Sequence, residues 1–187
     1  MPMMNNAKSG STALDASSRR SMSEVSYASK QLSSGERKIW QSQELGVEGD
    51  ELRHEAVFKL DAVGTYSCQG SEEGEEGAIS KINQDCACML HPFVGLGTAL
   101  FCVYDGHGLQ GHKVSNEAMY SIYIELENSK QLYDDPPSAI IEAFDASQEH
   151  FHLLATQASV DVDARHSGAC AIVAYFKGAD LWVGGAG

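Results

Sequence analysis

At 187 residues, with 43% apolar and 21% charged side chains, the chain has the make-up of a globular domain with a sizeable core. Its formal net charge of −13 argues against a nucleic-acid partner, because a phosphate backbone requires a surface rich in Lys and Arg. No apolar run approaches the ~20 residues of a membrane span, and Met1-Pro2 lacks the glycine that N-myristoylation uses.

Residues 1–36 are Ser-rich and nearly free of large aliphatics, so they bury too little apolar area to offset the entropy of ordering. We expect a disordered tail over 1–50 and a folded domain over 51–187. Within the tail, Arg19-Arg20-Ser21-Met22-Ser23 could attract a basophilic kinase, but a solvated polar tail is the preferred reading. The stretch 39–52 is short, polar and ambiguous.

From residue 55 the character changes. Residues 56–60 and 63–68 read as short strands, and 70–77 as an acidic, glycine-rich loop. Residues 86–90 and 98–104 read as further strands around a turn marked by Pro92, Gly95 and Gly97. Val114, Ala118, Ile122 and Leu126 recur every four residues and predict a helix with one apolar stripe. A second helix begins with Asp135 as N-cap and Pro136 in its first turn, with Ile140, Phe144, Phe151 and Leu154 facing the core. Residues 169–176 form a long apolar strand, 177–180 a turn and 181–183 the start of a returning strand. Strand runs on both sides of a helical pair predict an α+β fold with helices packed on antiparallel sheet. The chain stops within Trp182-Val183-Gly184-Gly185-Ala186-Gly187, in what reads as a buried strand, so a truncated domain is expected.

The strongest chemical signal is Leu100-Phe101-Cys102-Val103-Tyr104-Asp105-Gly106-His107-Gly108. A buried strand delivers a carboxylate at its end, and Gly106 has no side chain to shield its carbonyl. Such oxygen donors suit Mg²⁺ or Mn²⁺, and His107 beside them is placed for proton transfer to a leaving group. Taken alone, an Asp-Gly turn at a strand end explains the run as well. Upstream stands Lys81-Ile82-Asn83-Gln84-Asp85-Cys86, where polar residues open a strand; downstream, Arg165-His166-Ser167-Gly168-Ala169-Cys170-Ala171 opens another.

In this order the three segments resemble the opening half of the type 2C (PPM) protein phosphatase domain, over about residues 63–187. The resemblance implies a two-sheet antiparallel β-sandwich flanked by helices, cut after its first half. It also implies a centre of two ions, Mg²⁺ or Mn²⁺, where activated water attacks the phosphorus of phosphoserine or phosphothreonine in protein substrates. By motif position Asp105 would bridge the metals, Gly106 would lend its carbonyl, and Asp85 would hold metal-bound water. His107 would be the general acid. Gln84 stands where many members have a metal-binding Glu, and Ser80 where a phosphate-binding Arg is frequent. Lys81 is adjacent and would serve as a point charge without bidentate geometry. The family's further aspartates come from its second half, so a chain ending at Gly187 is expected to bind metal poorly, hydrolyse little and leave apolar faces exposed.

Other candidates receive plainer readings. Cys86 and Cys88 share a strand face, but no second Cys/His pair at finger-like spacing follows, so core or surface thiols are expected. With an odd number of cysteines, five, no disulfide framework is expected, and cytosol or nucleus follows by elimination. Ser167 and Gly168 read as turn-shaping, and Asp161 and Asp163 as part of a solvated loop. The remaining histidines, among them His112, His150 and His152, share no face. The expected protein is a monomeric phosphatase; a phosphatase-like binding or regulatory module without catalysis is the alternative.

Overall fold

The computed structural model describes residues 39–41, 58, 62–75, 77–95, 97–156 and 161–187. Most of the expected tail and the strand at 56–60, apart from Phe58, lie outside the described residues. The elements are β1 (Ile39–Gln41), β2 (Ser71–Gly74), β3 (Gly77–Ser80), β4 (Cys86–Leu90) and β5 (Thr98–Gly108). Then come α1 (Gly111–Asn128), α2 (Pro136–Thr156), β6 (Ser167–Lys177) and β7 (Asp180–Ala186). Among the described residues the architecture is α+β: a five-stranded sheet in the order β1-β4-β5-β6-β7 and a two-stranded sheet, β2-β3, with two helices. Every pairing is antiparallel except that of β1 with β4.

Period-two alternation decides what each strand buries. Cys86, Cys88 and Leu90 of β4, Leu100, Cys102 and Tyr104 of β5, and Ala171, Val173 and Tyr175 of β6 all face the helices and are buried. The α1 stripe of Val114, Ala118, Ile122 and Leu126 closes on them, each residue at most 5% exposed. Helix α2 adds Ile140, with Phe144 and Phe151 partly buried against the same core. Its start follows from two prolines: Pro136 and Pro137 carry no N–H, so the Ser138 amide donates to Asp135 Oδ1 at 3.4 Å. Gly184 of β7 lets α2 approach, since a Cβ there would lie 2.5 Å from Ile140 Cγ2.

Among the described residues little covers the opposite face of the large sheet. Phe58 packs edge-on against Phe101 and Phe176, with ring centroids 5.5 and 5.0 Å away. Beyond it Val103, Ile172, Leu181 and Val183 are 58%, 57%, 50% and 64% exposed. Cross-strand register places Val103 beside Ile172, Ala174 beside Val183, and Phe176 beside Leu181, so these side chains share one face.

Two sequence expectations are corrected. Residues 63–68 carry alternating exposure but no strand, because among the described residues no neighbouring strand pairs with their backbone. The acidic stretch expected to be a loop is the hairpin β2–β3, with Glu72 opposite Ile79 and Gly77 at φ 125° taking the turn conformation that a side chain disfavours.

Candidate active site

Strand β5 overruns its partner β4, whose pairing ends at Cys86 opposite Tyr104. The projecting end, Asp105 to Gly108, is held on its other side by Ser167 to Cys170 of β6. Alternation then sorts the motif. Asp105 and His107 point to the uncovered face and are exposed, while Gly106 turns toward the helices and is buried.

Gly106 fits because nothing larger can. A Cβ there would lie 2.3 Å from the Gly111 carbonyl oxygen and 2.5 Å from that of Gln84, both rigid backbone atoms. Gly111, the first residue of α1, is equally confined: its Cβ would meet Gln84 Oε1 at 2.6 Å. Strand end, helix start and the segment before β4 therefore meet backbone to backbone.

That meeting brings residues 83–85 to the end of β5. Gln84 Nε2 donates to the Gly108 carbonyl at 2.8 Å, and Ser115 Oγ of α1 donates to the Gln84 carbonyl at 2.6 Å. Asn83 is buried, accepts the Asp85 amide at 3.1 Å and donates to Ser67 Oγ at 2.7 Å. Asp85 itself is exposed. The glutamine side chain thus donates to the carbonyl of the motif's last glycine, a bond that a carboxylate cannot make.

His107 owes its place to β6. It lies opposite Gly168, where a Cβ would sit 2.6 Å from His107 Nε2. Gly168 is the seat of the imidazole, which goes beyond the expected turn-shaping role. Ser167 Oγ accepts the Gln110 amide at 2.8 Å, and Gly108, at φ 86°, passes the His166 carbonyl at a distance that no side chain tolerates.

Lys81 follows the hairpin, and its ammonium lies 3.3 Å from Glu72 Oε2, both side chains more than half exposed. An exposed pair of this kind contributes about 0–1 kcal/mol and exchanges readily for another anion. Asp161 pairs with Lys113 at 2.7 Å. Asp163 accepts from the Arg165 amide and from His166 Nδ1, and its own amide donates to Gln110 Oε1 at 2.7 Å. Desolvation raises the Asp163 carboxyl, but the bonds from His166 and the Arg165 and His166 amides together hold it below its ordinary value.

The other candidates behave as ordinary structure. Cys86, Cys88 and Cys102 are buried free thiols; a hydrogen bond with Cys102, then burial, pushes the Cys88 thiol well up, which makes it inert. His150 and His152 part as expected, His150 to Glu117 of α1 at 2.7 Å and His152 to Gln148. The three expected ligand groups offer only oxygen: the Asp105 and Asp85 carboxylates and the Gly106 carbonyl. That is the donor chemistry of hard divalent cations. Among the described residues no three His, Cys, Asp or Glu side chains converge to hold an ion, so this set is a partial one. No helix among them is long and apolar enough to cross a membrane.

A profile of the protein phosphatase 2C family matches residues 67–187, more than half of the chain. The chain belongs to this family. Among solved structures it is similar to the PPM Ser-Thr phosphatase of Mycobacterium smegmatis, crystallised with cacodylate, at 19% identity and a TM-score of 0.39. The alignment covers 64% of this chain and 44% of that one, so the chain spans less than half the length of that phosphatase. A comparison with curated proteins returns no match.

Proposed function

We propose that the chain is part of a metal-dependent protein phosphatase that hydrolyses phosphoserine and phosphothreonine in protein substrates with the help of two Mg²⁺ or Mn²⁺ ions. One observation carries the reading. Asp105 and His107 project from the exposed end of β5 while the Gln84–Gly108 bond of 2.8 Å keeps Asp85 at the same strand end. When bound, a pair of divalent ions would acidify water to near-neutral pKa and offset the negative charge on the phosphoryl oxygens. Asp105 and the Gly106 carbonyl would hold them, with ligands beyond this set completing the shell. Asp85 accepts hydrogen bonds from surrounding water and orients it. His107 protonates the departing serine or threonine oxygen. Lys81, released from Glu72, attracts the substrate phosphate. Cytosol or nucleus is the proposed compartment, and a monomer the proposed state.

The test is phosphate release from a phosphothreonine peptide with Mn²⁺, with and without chelator, by the protein and by its Asp105→Ala variant. Release that depends on the metal and vanishes in the variant supports the reading. Release that persists in a clean Asp105→Ala preparation sinks the site assignment. A second reading, a binding module without catalysis, draws on the exposed apolar face of Val103, Ile172, Leu181 and Val183. Metal-independent capture of a phosphoprotein by the Asp105→Ala variant would favour it.

A further inference from the structure

Asp85 sits in a segment without regular structure, yet its proposed role needs a fixed carboxylate. The residues on either side of it are both fastened to one position of α1. Ser115 is 0% exposed, and its hydroxyl has two carbonyls within reach. The helix's own His112 carbonyl lies at 3.3 Å, the usual back-bond of a helical serine. The Gln84 carbonyl lies nearer, at 2.6 Å. The Ser115 carbonyl in turn accepts the Cys86 thiol at 3.1 Å. Residues 84 and 86 are thus tied to a single helical residue, one through its side chain and one through its backbone. The Gln84 amide, bonded to Gly108, fixes the same segment to the strand that carries Asp105.

We infer that Ser115 is a positioning residue that sets the Asp85 carboxylate relative to Asp105. The inference rests on the metal reading above for its functional meaning. The local restraint follows from the hydrogen bonds alone. Alanine at 115 would leave the Gln84 carbonyl without this donor and free the segment to shift.

Ser121 provides the control. It lies on the same helix, is 1% exposed, and its hydroxyl has no hydrogen-bond partner among the described residues. The probe is Mn²⁺ alone, titrated into the whole chain and followed by the electron paramagnetic resonance of the free ion. Amide hydrogen exchange at residues 84–86 is measured in parallel. Ser115→Ala is expected to weaken Mn²⁺ binding about 10-fold, the lower range for loss of a ligand-orienting contact, and to speed exchange at residues 84–86. Ser121→Ala changes neither. If Ser115→Ala does not fold, Cys86→Ala carries the test, because it removes the bond to the Ser115 carbonyl while leaving the Ser115 hydroxyl on Gln84, and should move both readouts less far. Wild-type affinity and exchange in the folded variant overturn the inference. Faster exchange in Ser115→Ala, with Mn²⁺ bound as tightly as by the unaltered chain, leaves the restraint standing and overturns the metal reading of Asp85 instead.

Discussion

Replacing Gly106 by alanine tests the backbone-to-backbone meeting on which the site is built. The new Cβ would lie 2.3 Å from the Gly111 carbonyl oxygen, 2.5 Å from that of Gln84 and 2.6 Å from the Gly111 carbonyl carbon. None of these atoms is the tip of a flexible side chain, so β5, α1 and the segment before β4 must separate. Overpacking usually costs 1–3 kcal/mol, and obstruction by backbone on two sides puts this case at about 3 kcal/mol. For a domain of this size that lowers the melting temperature by about 10 °C. Gly185→Ala is the matched control. It also lies in a strand of the large sheet, but its Cβ would meet only the Ala171 carbonyl oxygen at 3.6 Å and Ile172 at 3.8 Å. There alanine should stabilise by about 0.5 kcal/mol, through the smaller entropy it loses on folding. Urea and thermal unfolding followed by circular dichroism report both changes. If Gly106→Ala melts within about 2 °C of the unaltered protein, the three segments do not meet as described, and the placement of Asp85 beside β5 falls with them.

Gly168→Ala should act differently. The atoms nearest its Cβ would be those of the His107 ring, at 2.6 Å from Nε2, and a ring can swing away. Stability should fall by less than about 1 kcal/mol while the imidazole ¹⁵N resonances of His107 move; unchanged resonances would contradict the seat. Removing either Glu117 or His150, bonded at 2.7 Å between α1 and α2, should cost about 2 kcal/mol, and removing both should cost less than the sum. Strictly additive losses in urea unfolding would show that the pair is not coupled. For Asp163, held below its ordinary 3.8 despite desolvation, the folded state favours the ionised carboxyl. Its contribution is present above 3.8 and disappears as pH falls through the lower folded value, so the stability gap to Asp163→Asn should close in that acid window. A gap that stays constant there would refute the assignment.

The elements best read from the sequence were those whose signals are local. The four-residue recurrence from Val114 to Leu126 marked α1, and Asp135-Pro136 marked the start of α2, because capping and amphipathicity depend on neighbours in the chain. Strand pairing depends on a distant partner, which is why 63–68 keeps its alternation without a ladder and the acidic 70–77 stretch forms a hairpin. At the candidate site, the Asp105-Gly106-His107 run was conspicuous from residue type alone. Its supports were not. Ser115 reads as one more small residue beside a helical stripe, and only three-dimensional proximity reveals its bond to Gln84. Gly168 reads as a turn glycine until the imidazole of His107 is found above it. Gln110, joined to both Ser167 and Asp163, gave no signal at all.

The alternation along β5 also divides the labour of the domain between two sides of one strand. Leu100, Cys102, Tyr104 and Gly106 point into the core and determine whether the chain folds. Asp105 and His107, one residue out of phase, touch little of that core, and substitutions at such exposed positions usually change stability by no more than about 0.5 kcal/mol. On the proposed reading, selection therefore sees these two residues through chemistry rather than through folding. A lineage that no longer needed the proposed turnover could lose both and keep its scaffold intact, and one that changed substrate could rework the rim around them without first repairing the fold.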